Sequence, residues 1–519
     1  MLDRRTVLRA GAVAAAAAAG AGATGAAVAG PVAASPVGPA ARRTGGGVDW
    51  SELGRRLSGD LVLPSDSGYE RARKLYSGQF DGIRPQAVAY CRSERDVRTT
   101  LAFAQDHGLP LVPRSGGHSF GGYSTGEGIV LDLSRLNTVA LTPRNTVVMG
   151  AGTQQVDALT ALSPRGVVVA GGNCPGVCPG GFVPGGGLGW QTRKFGMACD
   201  RLVSARIVLA DGRTVTASAA ENPDLFWATR GGGGGNFGVI TSLELRPTDV
   251  PTLVTYNLTW PWEAAQRVVE AWQHWIIDGP RDLGAALAVQ WPDAGKGAPV
   301  VVVTGAWLGA ADALDPVLDS LAASVGRAPA TRQARRLSAH DAMMAQYGCA
   351  ELSPEQCHTV GYSPEAALPR QNFSIDRNRL FSAPIPARGV ERILEAFATG
   401  PRAGQFRFLS FFALGGAANR PDRTTTAYVH RDTEFYLGFS IALNKPDYSR
   451  EDEAAARAWA ARGLHTLDPY SNGESYQNFI DPELADWKTA YYAENYGRLA
   501  EIKHAYDPHR FFSFAQAVG

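Results

Sequence analysis

GGNCPGVCPGGFVPGGGLG, residues 171–189, packs two cysteines and three prolines among glycines. So much glycine cannot propagate a helix, and the prolines break any central strand. Two readings follow. The stretch is a disulfide knuckle, or its backbone presses against a flat or phosphorylated ligand with a thiol close enough to react.

The surrounding chain narrows the choice. At 519 residues, 45% hydrophobic and 19% charged, it is long enough for two or three domains with large cores. A net charge of +1 gives no electrostatic case for nucleic acid or an anionic membrane. Arg4 and Arg5 precede a weakly apolar Ala/Gly run, with a small-residue cleavage site at Ala27-Val28-Ala29. Residues 1–30 thus resemble a twin-arginine signal peptide, a route that carries folded proteins out of the cell, and 31–48 read as a linker. A secreted protein with no membrane attachment after cleavage is expected.

Export permits disulfides, and Cys349 and Cys357 flank a loop short enough to pair. Cys174 and Cys178 could form half of a metal site, but no second pair or histidine cluster completes it, so no metal is expected.

From residue 85 the pattern alternates. Strands are expected at 87–91, at 109–117 running into a glycine turn, and at 128–141 and 146–153, with helices at 93–108 and 154–162. Asp211-Gly212 marks a hairpin within 202–218. This half reads as an α+β nucleotide-binding domain. Between about 250 and 470, the apolar runs LVTYNLTW, APVVVVTGAWLG, FRFLSFFALGG and EFYLGFSIAL suit a broad sheet. Amphipathic stretches at 262–276 and 389–399 place helices on one face of it. A last helix ends at Asp507-Pro508.

Two more glycine loops accompany the first: RSGGHSFGG at 114–122 and TRGGGGGNFGVI at 229–240. Backbone N–H groups in such turns can hold phosphates. None is a Walker loop or a dinucleotide fingerprint, so a classical Rossmann domain is not expected.

The contents of the loops are more specific. RSGGHS, the opening stretch, NPDLFWATRGGGGGNFGVIT, SYQNFID and YYAENYGRLAEIKHAYDPHRFF resemble, in that order, the FAD-linked oxidases of the berberine bridge enzyme type. The likeness covers roughly residues 70–517. It implies a PCMH-type FAD-binding domain at 49–250, completed by 476–519, and a substrate domain at 251–475 with a large antiparallel sheet covered by helices.

In bicovalent members a histidine and a cysteine carry the flavin, and these positions are His118 and Cys174 here. A disulfide of Cys174 with Cys178 or Cys199 is the competing reading. Around the cofactor the resemblance places Arg114, Ser115, Gly116, Gly117 and Ser119 from the first loop. It adds Gly180, Gly181, Gly185, Gly186, Gly187 and Gly189 from the second, and Gly235, Asn236, Gly238 and Val239 from the third. Tyr476 matches the tyrosine that acts as base in the carbohydrate- and antibiotic-oxidising members. Val177 falls where a small β-branched side chain admits oxygen to the flavin. Tyr347 and Tyr362 are secondary pocket candidates, and His430 reads as structural.

Three positions depart from the pattern. Cys178 replaces a glycine, Phe182 a histidine, and Phe412 the glutamate that serves as base in the plant alkaloid enzyme. The resemblance thus implies an oxidase with FAD held by His118 and Cys174, acting on an alcohol of a sugar or secondary metabolite, with O2 as acceptor and H2O2 as product. The alternative is an oxidative cyclase or desaturase using the same flavin.

Overall fold

The computed structural model describes residues 48–519. The expected signal peptide and all but the last residue of the linker lie outside them. Strand β1 (Leu61–Val62) lies antiparallel to β2 (Ala87–Tyr90). With β3 (Leu111–Arg114) and β4 (Ile129–Asp132) they form a sheet in the order β1-β2-β4-β3, parallel through its last three strands. The helix Glu94–Asp106 crosses between β2 and β3, capped by Ser93, whose hydroxyl accepts the Asp96 N–H.

The chain continues through β5 (Val139–Leu141), β6 (Val147–Gly150), β7 (Val167–Val168), β8 (Leu202–Val208), β9 (Thr214–Ser218), β10 (Val239–Leu245) and β11 (Thr248–Asp249). Five of these make an antiparallel sheet ordered β5-β6-β10-β8-β9, while β7 pairs with β11. The hairpin at Asp211-Gly212 joins β8 to β9.

Next come β12 (Thr252–Pro261), β13 (Leu283–Trp291), β14 (Val300–Trp307), β15 (Thr331–Ser338), β16 (Phe373–Phe381), β17 (Gln405–Ala413) and β18 (Phe435–Leu443). They form one antiparallel sheet in the order β15-β12-β14-β13-β17-β18-β16. Alternation along each strand gives the sheet two unlike faces. Leu287, Val303, Leu409, Phe411, Leu437 and Phe439 point into one core with Trp272, Leu318, Ile393 and Trp459. Those four come from the helices Ala265–Ile277, Leu314–Val325, Ala387–Ala398 and Arg450–Leu467. The intervening residues of β16, β17 and β18 face the other way, onto the candidate site.

A second core fills the first half of the chain, and Tyr476, Tyr491, Leu499, Phe512 and Val518 from the C-terminal segment pack into it. Where that segment begins, Glu474 is buried. It meets His430 Nδ1 at 2.7 Å and Arg423 Nη2 at 2.5 Å. Burial alone would raise the Glu474 carboxyl, but His430 and Arg423 prevail and hold it down at about 2, against 4.5 ordinarily. A depressed carboxyl stabilises the fold above its unfolded value and loses that contribution as pH falls through the folded one. Replacing Glu474 by Gln should therefore remove roughly 3 kcal/mol at neutral pH, and urea unfolding should show the wild-type advantage fading between pH 4.5 and about 2.

Cys349 and Cys357 form a disulfide, as their spacing allowed; the other four cysteines make none. No helix among the described residues is long and apolar enough to cross a membrane.

Candidate active site

A cleft of about 360 Å³ opens between the three glycine loops and the bare face of the seven-stranded sheet. The turn after β3 brings in Ser115, Gly116, Gly117, His118 and Ser119. The opening stretch of sequence brings Cys174, Val177, Gly180 and Gly181, and the third loop brings Gly235, Asn236, Gly238 and Val239. Tyr476 completes the set of expected residues on its wall.

His118 and the Cys174 turn meet at one end. A Cβ on Gly176 would stand 2.9 Å from His118 Nε2, so only glycine lets the turn lie against the imidazole. Tyr76 stacks on His118 with ring centroids 4.3 Å apart. Burial pushes His118 down to about 4, which keeps the imidazole neutral and nucleophilic at pH 7. Burial pushes the Cys174 thiol the other way, to about 11. The turn itself rests on the helix Gln155–Leu162, whose first amides donate to Val177 O and Pro175 O.

Five expected cofactor residues are placed elsewhere. Arg114 is buried against Asp132, 2.6 Å from Nε to the carboxylate, and also donates to Ala72 O. It fastens β3 to its neighbours and does not line the cleft. Gly185, Gly186, Gly187 and Gly189 also lie outside the lining. Side chains there would collide with Asn478, Tyr428, Ala198 and the Gly171 carbonyl respectively. These glycines serve chain-to-chain packing behind the cleft, a demand that a glycine-rich sequence does not distinguish from ligand contact. Tyr347 and Tyr362 also stand away from the lining, Tyr362 stacked on His358. His430 is held between Glu474 and Gln477, a structural role.

Tyr476 is buried, and its oxygen accepts three N–H donors: Gly187 N at 2.9 Å, Leu188 N at 3.2 Å and Asn478 Nδ2 at 3.0 Å. Burial raises its pKa, while these donors act in the opposite sense. Phe479 stands between Tyr476 and a second phenol, Tyr436, with ring centroids 5.2 and 5.4 Å away. The Tyr436 hydroxyl donates to Asp376 Oδ1 at 2.6 Å. Tyr436 and Asp376 escaped the sequence reading. Tyr436 sits in an apolar run whose one signal was hydrophobicity, Asp376 in a polar strand without a strand signal, and their pairing exists only across the sheet.

The mostly apolar lining carries a few buried polar groups that a cofactor would satisfy. Ser77 Oγ, Tyr123 OH, Asn173 Oδ1 and Gln516 Oε1 are buried on the cleft wall without a hydrogen-bond partner among the described residues. Buried polar atoms rarely stay unsatisfied, so these await a ligand's donors and acceptors. Gly235 (φ +75°) and its neighbours turn the third loop's backbone toward the same space.

Comparison with known proteins agrees. A family model described as FAD binding domain matches residues 85–218, and one described as berberine and berberine like matches residues 475–519. An uncharacterized FAD-linked oxidoreductase of Bacillus subtilis, YvdP, is 30% identical over 472 residues, covering 89% of this chain and 98% of the relative. The chain belongs to the berberine-bridge-type FAD-linked oxidoreductases. It is thus an FAD-dependent oxidoreductase with the PCMH-type fold. The xylooligosaccharide oxidase of Thermothelomyces thermophilus is 30% identical to this oxidoreductase over 460 residues, 84% of this chain and 87% of the relative. In structure it resembles the glucooligosaccharide oxidase of Acremonium strictum, whose FAD is 6-S-cysteinyl, 8α-N1-histidyl (TM-score 0.79, 23% identity, 89% of this chain and 97% of that one).

Proposed function

We propose that this oxidoreductase is an exported oxidase with FAD tethered at both His118 and Cys174. Its substrate on this reading is a hydroxyl group of a sugar or of a glycosylated or polyketide-like metabolite. The observation that carries it is the meeting of a neutral imidazole and a thiol-bearing turn at one end of a cleft whose other walls hold phenols. FAD bound there supplies the acceptor for a hydride and, through O2, its disposal as H2O2. Everything else falls to the chain. His118 and Cys174 fix the ring end, and the glycine loops seat the rest. Phe412 and Phe479 give the substrate an apolar floor, while Ser410 and Ser440 offer it hydrogen bonds. A cleft phenol removes the hydroxyl proton.

Phe412 argues against ring closure by a glutamate at that position, so alcohol oxidation is the preferred chemistry. A peroxide-coupled screen of oligosaccharides and hydroxylated metabolites tests the reading. Peroxide formed in step with a carbonyl product supports it, and a flavin that no alcohol reduces sinks it.

Val177 lines the cleft three residues beyond Cys174. Leucine there adds one methylene over the site. Val177→Leu should slow reoxidation by O2 while leaving reduction by substrate nearly unchanged. Stopped-flow mixing of the reduced protein with oxygenated buffer measures this.

A further inference from the structure

Two of the phenols on the cleft wall, Tyr476 and Tyr436, stand in very different hydrogen-bonding states. The Tyr476 oxygen already receives three N–H donors, so its lone pairs are occupied. The Tyr436 hydroxyl gives its hydrogen to Asp376, and none of the described donors reaches its oxygen. Asp376 in turn accepts from Ser440 Oγ and from Asn378 Nδ2, the latter at 3.0 Å. Register explains the cluster: Asp376 pairs across the sheet with Ser440, and Asn378 with Gly438. All stand on the cleft-facing side with Tyr436. Any side chain at position 438 would collide with both the Tyr436 oxygen and Asp376 Oδ2.

We propose that Tyr436 and Asp376 form the proton-accepting pair of the reaction, with Tyr476 as a positioning residue. This rests on the alcohol-oxidising reading above. The substrate C–H bond breaks with both electrons leaving as hydride to the oxidised flavin. The O–H bond breaks, its proton passing to the Tyr436 oxygen as Tyr436 hands its own proton to Asp376 Oδ1. The C=O bond forms. The carbinol carbon is oxidised by two electrons, and O2 later takes up the hydride equivalent and the Asp376 proton as H2O2. Asn378 keeps the two walls in register, since its Nδ2 holds Asp376 while its Oδ1 accepts the Tyr476 N–H at 2.9 Å.

Burial pushes the Asp376 carboxyl up to about 6, against the pull of Ser440, Tyr436 and Asn378. Among charged groups, Asp481 acts on it from the C-terminal segment and raises it further. Asp481 is itself faced by Arg377 from β16, at 3.4 Å. Burial and Asp376 together hold Tyr436 protonated. The pair therefore accepts a proton while Asp376 is ionised and fails as pH drops below about 6.

The test is anaerobic flavin reduction by an alcohol from the screen, across pH, in wild type, Tyr436→Phe, Asp376→Asn and Tyr476→Phe. Tyr436→Phe should reduce the rate by about 10²–10⁴-fold with little change in substrate Kd. The wild-type rate should fall tenfold per pH unit below about 6, a limb that Asp376→Asn lacks. Infrared difference spectra between acid and neutral pH give a readout without substrate: a protonated-carboxyl band with its midpoint near 6 that disappears in Asp376→Asn. A wild type reduced by alcohol with Tyr436→Phe equally fast overturns the pair and leaves the alcohol reading intact. So does an acid band that survives in Asp376→Asn. A wild type that no alcohol reduces overturns both.

Discussion

The protein purified with its cofactor is expected to weigh one FAD more than its chain, and acid precipitation should leave the colour with the pellet. Peptide maps should find the added mass on the peptides of both His118 and Cys174. His118→Ala and Cys174→Ala should each retain a single tether, and the double variant should release all its flavin on denaturation. The two attachments should also differ in pH dependence. His118 is neutral well above its value of about 4, so its reactivity is flat across the neutral range. The Cys174 thiol sits near 11, and its thiolate share grows about tenfold per pH unit below that. Attachment at Cys174 should therefore quicken as pH rises from 6 to 9 while that at His118 holds steady. A Cys174–Cys178 disulfide in the purified protein would reduce the model to one tether. The geometry argues against that bond, for Cys178 is buried with its sulfur 3.3 Å from Gly152 O.

The second large effect concerns stability. Lys503, buried near the end of the helix Tyr496–Tyr506, donates to Asp507 Oδ2 at 2.7 Å, Asn236 O at 2.6 Å and Phe512 O at 2.7 Å. Asp507 also accepts the amides of Phe511 and Phe512. Burial lowers the Lys503 pKa, and Asp507 opposes the change. Asp507→Ala leaves a buried ammonium without its counter-charge and should cost about 3–5 kcal/mol, read from urea unfolding. Because Lys503 holds the Asn236 carbonyl, the third glycine loop should loosen as well, and the variant should capture FAD more slowly. A cost under ~1 kcal/mol would show that the pair is dispensable.

Legibility in the sequence followed locality. Ser93 and Asp211-Gly212 act on their own neighbours, so the helix and hairpin they mark were readable. The four apolar runs read as strands became β12, β14, β17 and β18. The remaining three strands of that sheet hid for separate reasons. β15 is a polar edge strand with an exposed arginine-rich middle. β16 buries Arg377 and Arg379, tolerable only because Asp481, Glu483 and Asp468 come from distant parts of the chain. β13 is rich in alanine and glycine, residues without strand preference. At the site the same rule held. The glycine turns that bring His118 and Cys174 to the cleft could be located in the sequence, whereas Tyr436 and Asp376 come together only when β16 and β18 lie side by side.

The two-faced sheet bears on how such a protein changes over evolutionary time. Leu409, Phe411, Leu437 and Phe439 hold the core, and Ser410, Phe412 and Ser440, alternating with them, line the cleft. Substrate preference and foldability are thus written in interleaved positions of the same strands. Exchanging a cleft-facing side chain alters recognition without opening a cavity among the tryptophans behind it. Gene duplicates built on this plan can drift toward new substrates in single steps, each intermediate remaining a folded protein.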